Sequence, residues 1–146
     1  MTRQATLQDI ERLTELFDAY RVFYQKEPDR KSAAAFLTER IQKDESVIFV
    51  SLNTENIITG FTQLYPLFSS TRMKRLWLLN DLFVDPLYRG QGFSIELINA
   101  AKELCEQTNA CGLTLETATT NSIGNRLYPA AGFTLNVDYN CYSWNR

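Results

Sequence analysis

Residues 76–105 read Leu-Trp-Leu-Leu-Asn-Asp-Leu-Phe-Val, then Asp85-Pro-Leu-Tyr-Arg89-Gly-Gln-Gly92-Phe-Ser, then Ile-Glu-Leu-Ile-Asn-Ala-Ala-Lys-Glu-Leu-Cys105. The apolar run to Val84 predicts a buried strand. Phe93, Ile95, Leu97, Ile98, Ala101, Leu104 and Cys105 recur at helical spacing, which predicts an amphipathic helix after the turn. A helix start exposes backbone N–H groups and the positive end of the peptide dipole, so a loop stripped of side chains there suits a phosphate. Gly90 and Gly92 supply that bareness. The loop has neither the Gly-Lys-Ser/Thr of a P-loop nor a full GxGxxG, so a different pyrophosphate compound is expected.

Working outward, residues 113–118 read as another strand and 121–131 as a short helix closed by Gly132. Residues 134–137 and 141–144 read as two last strands. Upstream, residues 2–5 form a first strand, and Thr6 with Asp9 makes a helix start for Ile10, Leu13, Leu16, Phe17, Tyr20, Phe23 and Tyr24. Pro28 and Asp29 end that helix, and Ser32 opens a second one carrying Phe36, Leu37 and Ile41. Residues 47–52 and 57–67 flank Asn53-Thr-Glu-Asn56 as a hairpin. Residues 66–75 read as a polar loop whose Arg72, Lys74 and Arg75 form a solvated patch. The pattern is α/β (α+β): a mixed, mostly antiparallel central sheet with helices on its faces.

At 146 residues, one domain spanning 1–146 is expected. A net charge of -2 with mixed signs gives no electrostatic footprint for nucleic acid or a membrane surface. With no long apolar run and no signal-like start, a cytoplasmic protein is expected. Cys105, Cys111 and Cys141 form no CxxC pair and there is no histidine, so no metal site and no His-activated nucleophile is expected. The cysteines read as small buried hydrophobes.

Arg89-Gly90-Gln91-Gly92-Phe93-Ser94 resembles the Q/R-x-x-G-x-G/A signature of the GCN5-related N-acetyltransferases, and Asp81-Leu82-Phe83-Val84-Asp85-Pro86 is usual before it. Asn121-Ser-Ile-Gly124-Asn-Arg-Leu127-Tyr128-Pro-Ala-Ala-Gly132-Phe133 is similar to the family's N-x-x-A-x-x-L-Y-x-x-x-G-F ending. Ser94 and Gly124 depart from the pattern, both by small residues. The resemblance covers residues 76–133 and implies acetyl-CoA as co-substrate. It implies backbone amides of residues 89–94 on the pyrophosphate, the pantetheine arm along Leu82, Phe83 and Val84, and an N–H near Val84 on the thioester oxygen. It also implies Asn121, Asn125 and Tyr128 at the cofactor, with Tyr128 as general acid. On helical spacing, Asn121, Asn125 and Tyr128 share one face, while Ile123, Leu127 and Ala131 form an apolar one.

An amine acceptor arrives as ammonium and must lose a proton. Two carboxylates are expected in otherwise apolar strands, Glu116 and Asp81, because burial raises a carboxylate toward the useful range. Glu116 is preferred as base, with Asp81 and a water relay as the other choice. Tyr20, Tyr24, Glu27 and Asn80 are the acceptor-side candidates, since the family's first two helices commonly wall that pocket. Asn80 stands where polyamine-acetylating members carry Glu, which weakens a spermidine-type assignment. The reading is direct acetyl transfer to a primary amine of a small molecule. The alternatives are a protein lysine or amino terminus as acceptor, or a non-catalytic acyl-CoA sensor. The aromatic end of the chain predicts a homodimer.

Overall fold

The computed structural model describes residues 1–146, which divide into two compact units, Met1–Leu115 and Glu116–Arg146. The first holds the sheet. Strands β1 (Thr2–Gln4), β2 (Val47–Leu52), β3 (Ile58–Ser69), β4 (Lys74–Val84) and β5 (Leu113–Thr114) lie in chain order, the first four antiparallel and β5 parallel to β4. Helices α1 (Ile10–Phe23) and α2 (Arg30–Gln42) precede β2, and α3 (Phe93–Gln107) crosses over from β4 to β5. That crossover is what a parallel neighbour requires.

Thr6 and Asp9 form a reciprocal capping box on a 3-10 turn that runs into α1. Asp29, not Ser32, caps α2: its carboxylate accepts the Ser32 N–H at 3.0 Å. The link between the two helices is pinned by buried Asp18, which accepts the Asp29 N–H at 2.9 Å and an Arg21 N–H at 3.0 Å. Leu13, Leu16 and Phe17 of α1 and Ala33 and Leu37 of α2 then pack on Ile48, Val50, Phe61 and Phe83 of the sheet. On the other face, α3 buries Leu97, Ile98 and Ala101 against the strands, and the Trp77 indole donates to Thr108 at its end. At about 25 cal/mol per Å² of apolar surface, each such Leu or Ile contributes about 2 kcal/mol.

The expected hairpin 47–67 forms, but β3 runs on to Ser69 and β4 starts at Lys74. The stretch read as a loop is therefore mostly paired strand. Arg75, assigned to a solvated patch, lies over the Phe68 ring at 5.0 Å and the Trp77 ring at 5.2 Å, so its stem and charge cover aromatic faces.

The second unit contains one helix, α4 (Gly124–Ala130). Gly132 at φ +85° ends it, with Gly132 N–H on Pro129 O and Phe133 N–H on Tyr128 O, as the glycine predicts. The two strands expected at 134–137 and 141–144 do not form. Asn136 turns the backbone back on itself by accepting the Asp138 N–H, and residues 134–146 pair with no strand. Likewise the strand expected at 113–118 stops at Thr114.

Candidate active site

In the first unit the site begins with an edge. Strands β4 and β5 share only Trp77↔Leu113 and Leu78↔Thr114, so from Leu79 to Val84 no strand is paired on that side of β4. Which amides face the opening follows from the other side. The Asp85 N–H is bonded to Thr59 O, and antiparallel N–H groups alternate direction along a strand. Phe83 therefore points its backbone groups at β3, and Leu82 and Val84 point theirs into the gap. The Val84 carbonyl is already taken by the Arg89 guanidinium at 3.0 Å, which also lies over the Phe83 ring at 5.5 Å. The Val84 N–H is left facing the gap.

At the same end of β4, Asp85 and Pro86 start a 3-10 turn that leads to the glycine loop. Gly90 and Gly92 sit at φ +75° and +88°, and a Cβ added to either would meet nothing within 4 Å. The need for glycine here is conformational on the protein side, and the space beyond is open to a ligand. Ile95 and Glu96 donate to Gly92 O, whereas the N–H groups of Phe93 and Ser94 have no acceptor in the chain. Gly92 offers no side-chain cap. An anion would satisfy these amides and the helix dipole together.

A second feature lies on the α1 side of the sheet. Gln63 pairs with Asp81 but Leu64 pairs with Leu79, so Asn80 is an extra residue in β4, a bulge. Asn80 is exposed and Asp81 is buried. The Tyr20 hydroxyl reaches the Asn80 carbonyl at 3.5 Å, and its ring packs edge-on against Tyr24, Phe61 and Phe83. Of the proposed acceptor-side residues, the structure thus brings Tyr20 to Asn80 at the bulge, with Tyr24 against the Tyr20 ring. Glu27 is exposed on the link between the helices, where its carbonyl accepts from Arg21.

Asp81 matches the expected buried strand carboxylate, and each of its oxygens accepts one amide hydrogen, from Gln63 and from Asn80. Glu116 does not match. It is exposed, lies beyond the end of β5, and accepts the Cys141 thiol at 3.1 Å, which pushes that thiol up from its usual range. The strand ends too early to bury it. Cys141 is exposed and Cys111 half-buried, so only Cys105 fits the buried reading.

In the second unit, Asn121 and Asn125 serve their own backbone. Asn121 accepts the Gly124 N–H and donates to Thr117, while Asn125 donates to the carbonyls of Ala118, Thr119 and Asn121. Asn121 lies ahead of α4 and caps it, so the three-residue polar face becomes a turn plus Tyr128. The apolar face is also incomplete, because Ile123 is 66% exposed. A Cβ at Gly124 would fall 2.7 Å from Asn121 Nδ2, so an alanine there would make that side-chain amide shift. Tyr128 is half-buried and packs edge-on against Phe133 at 5.8 Å.

An antiparallel sheet opened on a parallel neighbour, with a bare anion loop at the head of the crossover helix, suits a diphosphate-bearing ligand with an extended arm. Residues 10–133 match the acetyltransferase (GNAT) family, and the chain belongs to it. It is 41% identical over 143 residues to the uncharacterized N-acetyltransferase YhfO of Bacillus subtilis, covering 98% of this chain and 95% of that one. A probable acetyltransferase of Haemophilus influenzae is 34% identical over 110 residues, 75% of each chain. The crystal structure of a probable acetyltransferase superposes with a TM-score of 0.95 at 34% identity, covering 100% of this chain and 97% of that one. The protein is a GNAT N-acetyltransferase. No helix is long and apolar enough to cross a membrane.

Proposed function

We propose that the chain transfers the acetyl group of acetyl-CoA directly to a primary amine of a small molecule. The carrying observation is the unpaired edge of β4 ending in the Gly90–Gly92 loop. The amides of residues 90–94 fit a diphosphate, and the Leu82 and Val84 edge fits an extended amide-bearing arm lying like an added strand. The group supplies an activated thioester when bound. Val84 N–H would face charge developing on the carbonyl oxygen, a preorganised donor of the oxyanion-hole kind. Tyr128 gives a proton to the departing thiolate, by its place in the family ending.

Asp81 now stands ahead of Glu116 as the base, because it is the carboxylate that is buried in a strand. It is 4% exposed, so a water at the Asn80 bulge carries the proton from the ammonium to it. Tyr20 and Tyr24 present ring faces suited to a cationic acceptor. A homodimer joined through the aromatic chain end belongs to the same reading.

Calorimetric titration of the protein with coenzyme A tests the loop. Wild type should bind, and Gly92→Val should bind at least about tenfold more weakly, since φ +88° is strained for a β-branched residue. Equal affinities would remove the loop from the site. Acetyl-CoA with 1,4-diaminobutane, glycine amide and a lysine peptide, followed by thiol release, then separates the acceptor classes. Binding without release on any amine would mean a sensor.

A further inference from the structure

The polar groups of β3 behind Asp81 have no part in the reading so far. Gln63 is fully buried in the middle of the sheet, where an amide is tolerated only if its groups are bonded. Its Nε2 donates to Asp81 Oδ2 at 2.9 Å, and its Oε1 accepts the hydroxyl of buried Ser46 at 2.9 Å. Thr62 donates to the Asp81 carbonyl at 2.8 Å, fixing the backbone of the same residue. The line Ser46, Gln63, Asp81, Asn80 is therefore a continuous hydrogen-bonded chain from inside the core to the exposed bulge.

Its orientation depends on one proton. With Asp81 ionised, the amide must present Nε2 to it, and Ser46 must donate to Oε1. With Asp81 protonated, that arrangement leaves an O–H facing an N–H. Rotating the Gln63 amide by half a turn corrects this, since Oδ2–H then donates to Oε1 and Nε2 donates to the Ser46 oxygen. In either state the Gln63 amide is bonded to both Asp81 and Ser46, so the change of protonation does not orphan it.

We propose that Ser46 and Gln63 form a reversible relay that lets Asp81 take up and release one proton inside the sheet, with Gln63 as a positioning residue for acetyl transfer. The inference rests on the reading of Asp81 as base. The step balances: an ammonium N–H bond breaks, its electron pair stays on the amine nitrogen, and the proton forms the Asp81 O–H bond by way of the bridging water. It returns to solvent after turnover. Tyr65 from β3 feels the charges of Asp81 and of Arg40 from α2, Arg40 being paired with Glu45 at 2.7 Å and Glu39 at 3.0 Å, and the Tyr20 hydroxyl from α1 lies at the bulge. Burial, and then the charge of Asp81, push the Tyr65 hydroxyl up to about 12, so it remains neutral.

The test is the titration of the Asp81 carboxyl in the full chain, followed by carbon-13 NMR. Gln63→Met removes the donor to Oδ2 and should move the midpoint up by about one pH unit. Ser46→Ala frees the amide and should move it the same way by less. The acid limb of kcat/KM for the best amine of the panel should move with it, an about tenfold loss on that limb with the alkaline plateau kept. A midpoint and limb unmoved in Ser46→Ala and Gln63→Met overturn the relay. Should Gln63→Met fail to fold, the Ser46→Ala midpoint decides. If Asp81→Asn keeps wild-type kcat/KM, the base reading fails instead, whatever the midpoints do.

Discussion

Tyr128 is the residue on which the chemistry is most exposed to test. A departing thiolate needs a proton, and a phenol positioned to give it contributes typically about 100-fold or more. Tyr128→Phe keeps the ring against Phe133, so the helix cap survives the change. We expect kcat to fall by about 100-fold while coenzyme A affinity in the same calorimeter falls far less. An unchanged kcat would take Tyr128 out of the mechanism. The neighbouring asparagines show where single residues mislead. Asn121 and Asn125 have helical spacing to Tyr128, yet their amides bond their own chain. Short polar side chains compete locally for backbone groups, and spacing alone does not say which they choose. Glu116 fails for a related reason, because a carboxylate in an apolar run is buried only if the strand reaches it.

Among the elements, β4 carries both the edge and the bulge, and its alternation gives a sharp contrast. The Val84 N–H faces the gap, so a proline there costs no ladder bond, whereas Phe83→Pro removes one to β3. Val84→Pro should stay folded with a melting temperature near wild type and lose about 100-fold in kcat, the scale of one oxyanion donor. Phe83→Pro should fall by several degrees. Equal melting losses in the two would show that the alternation is misassigned. The apolar period of residues 76–84 and the glycines after it were enough to read strand, loop and helix. Period 2 does not announce a bulge, which appears only as the offset between Gln63↔Asp81 and Leu64↔Leu79. Nor do Leu135, Val137 and Tyr139 announce whether a neighbouring strand exists to pair with. Strands are completed by partners distant in sequence, helices by their own caps, and so α1, α2 and α3 are legible as helices, although α1 ends at Phe23, ahead of Pro28, and α2 starts at Arg30, ahead of Ser32.

For the molecule as a whole, every buried hydrophobic residue lies between Ala5 and Cys105, so stability belongs to the first unit. Part of it is electrostatic. The Arg3 fork on Asp9, with the Thr6 N–H, holds that carboxyl below its ordinary range. Burial pushes Asp85 up, but the Leu87 N–H and Arg12 outweigh it and hold it low as well. A depressed folded value means the stabilisation is whole above about pH 4 and drains away as pH falls through that lower value. Urea unfolding should show Asp9→Ala weaker than wild type by about 1 kcal/mol at pH 7 and the gap closing below pH ~4. A gap constant down to pH ~3 would assign the effect to packing. The second unit contributes the opposite kind of surface. Leu135, Val137, Tyr139, Tyr142 and Trp144 are each 79% to 89% exposed, a run of apolar side chains that a soluble monomer rarely leaves uncovered. A second copy of the chain, meeting this segment about a two-fold axis, is the occupant the homodimer reading requires. Sedimentation at micromolar concentration should then give twice the chain mass of 16.8 kDa for the full protein and the single mass for a chain ending at Phe133. The shortened chain keeps the α4 cap at Gly132, so its loss of dimer would be a loss of that segment alone, and a monomeric full chain would refute the pairing.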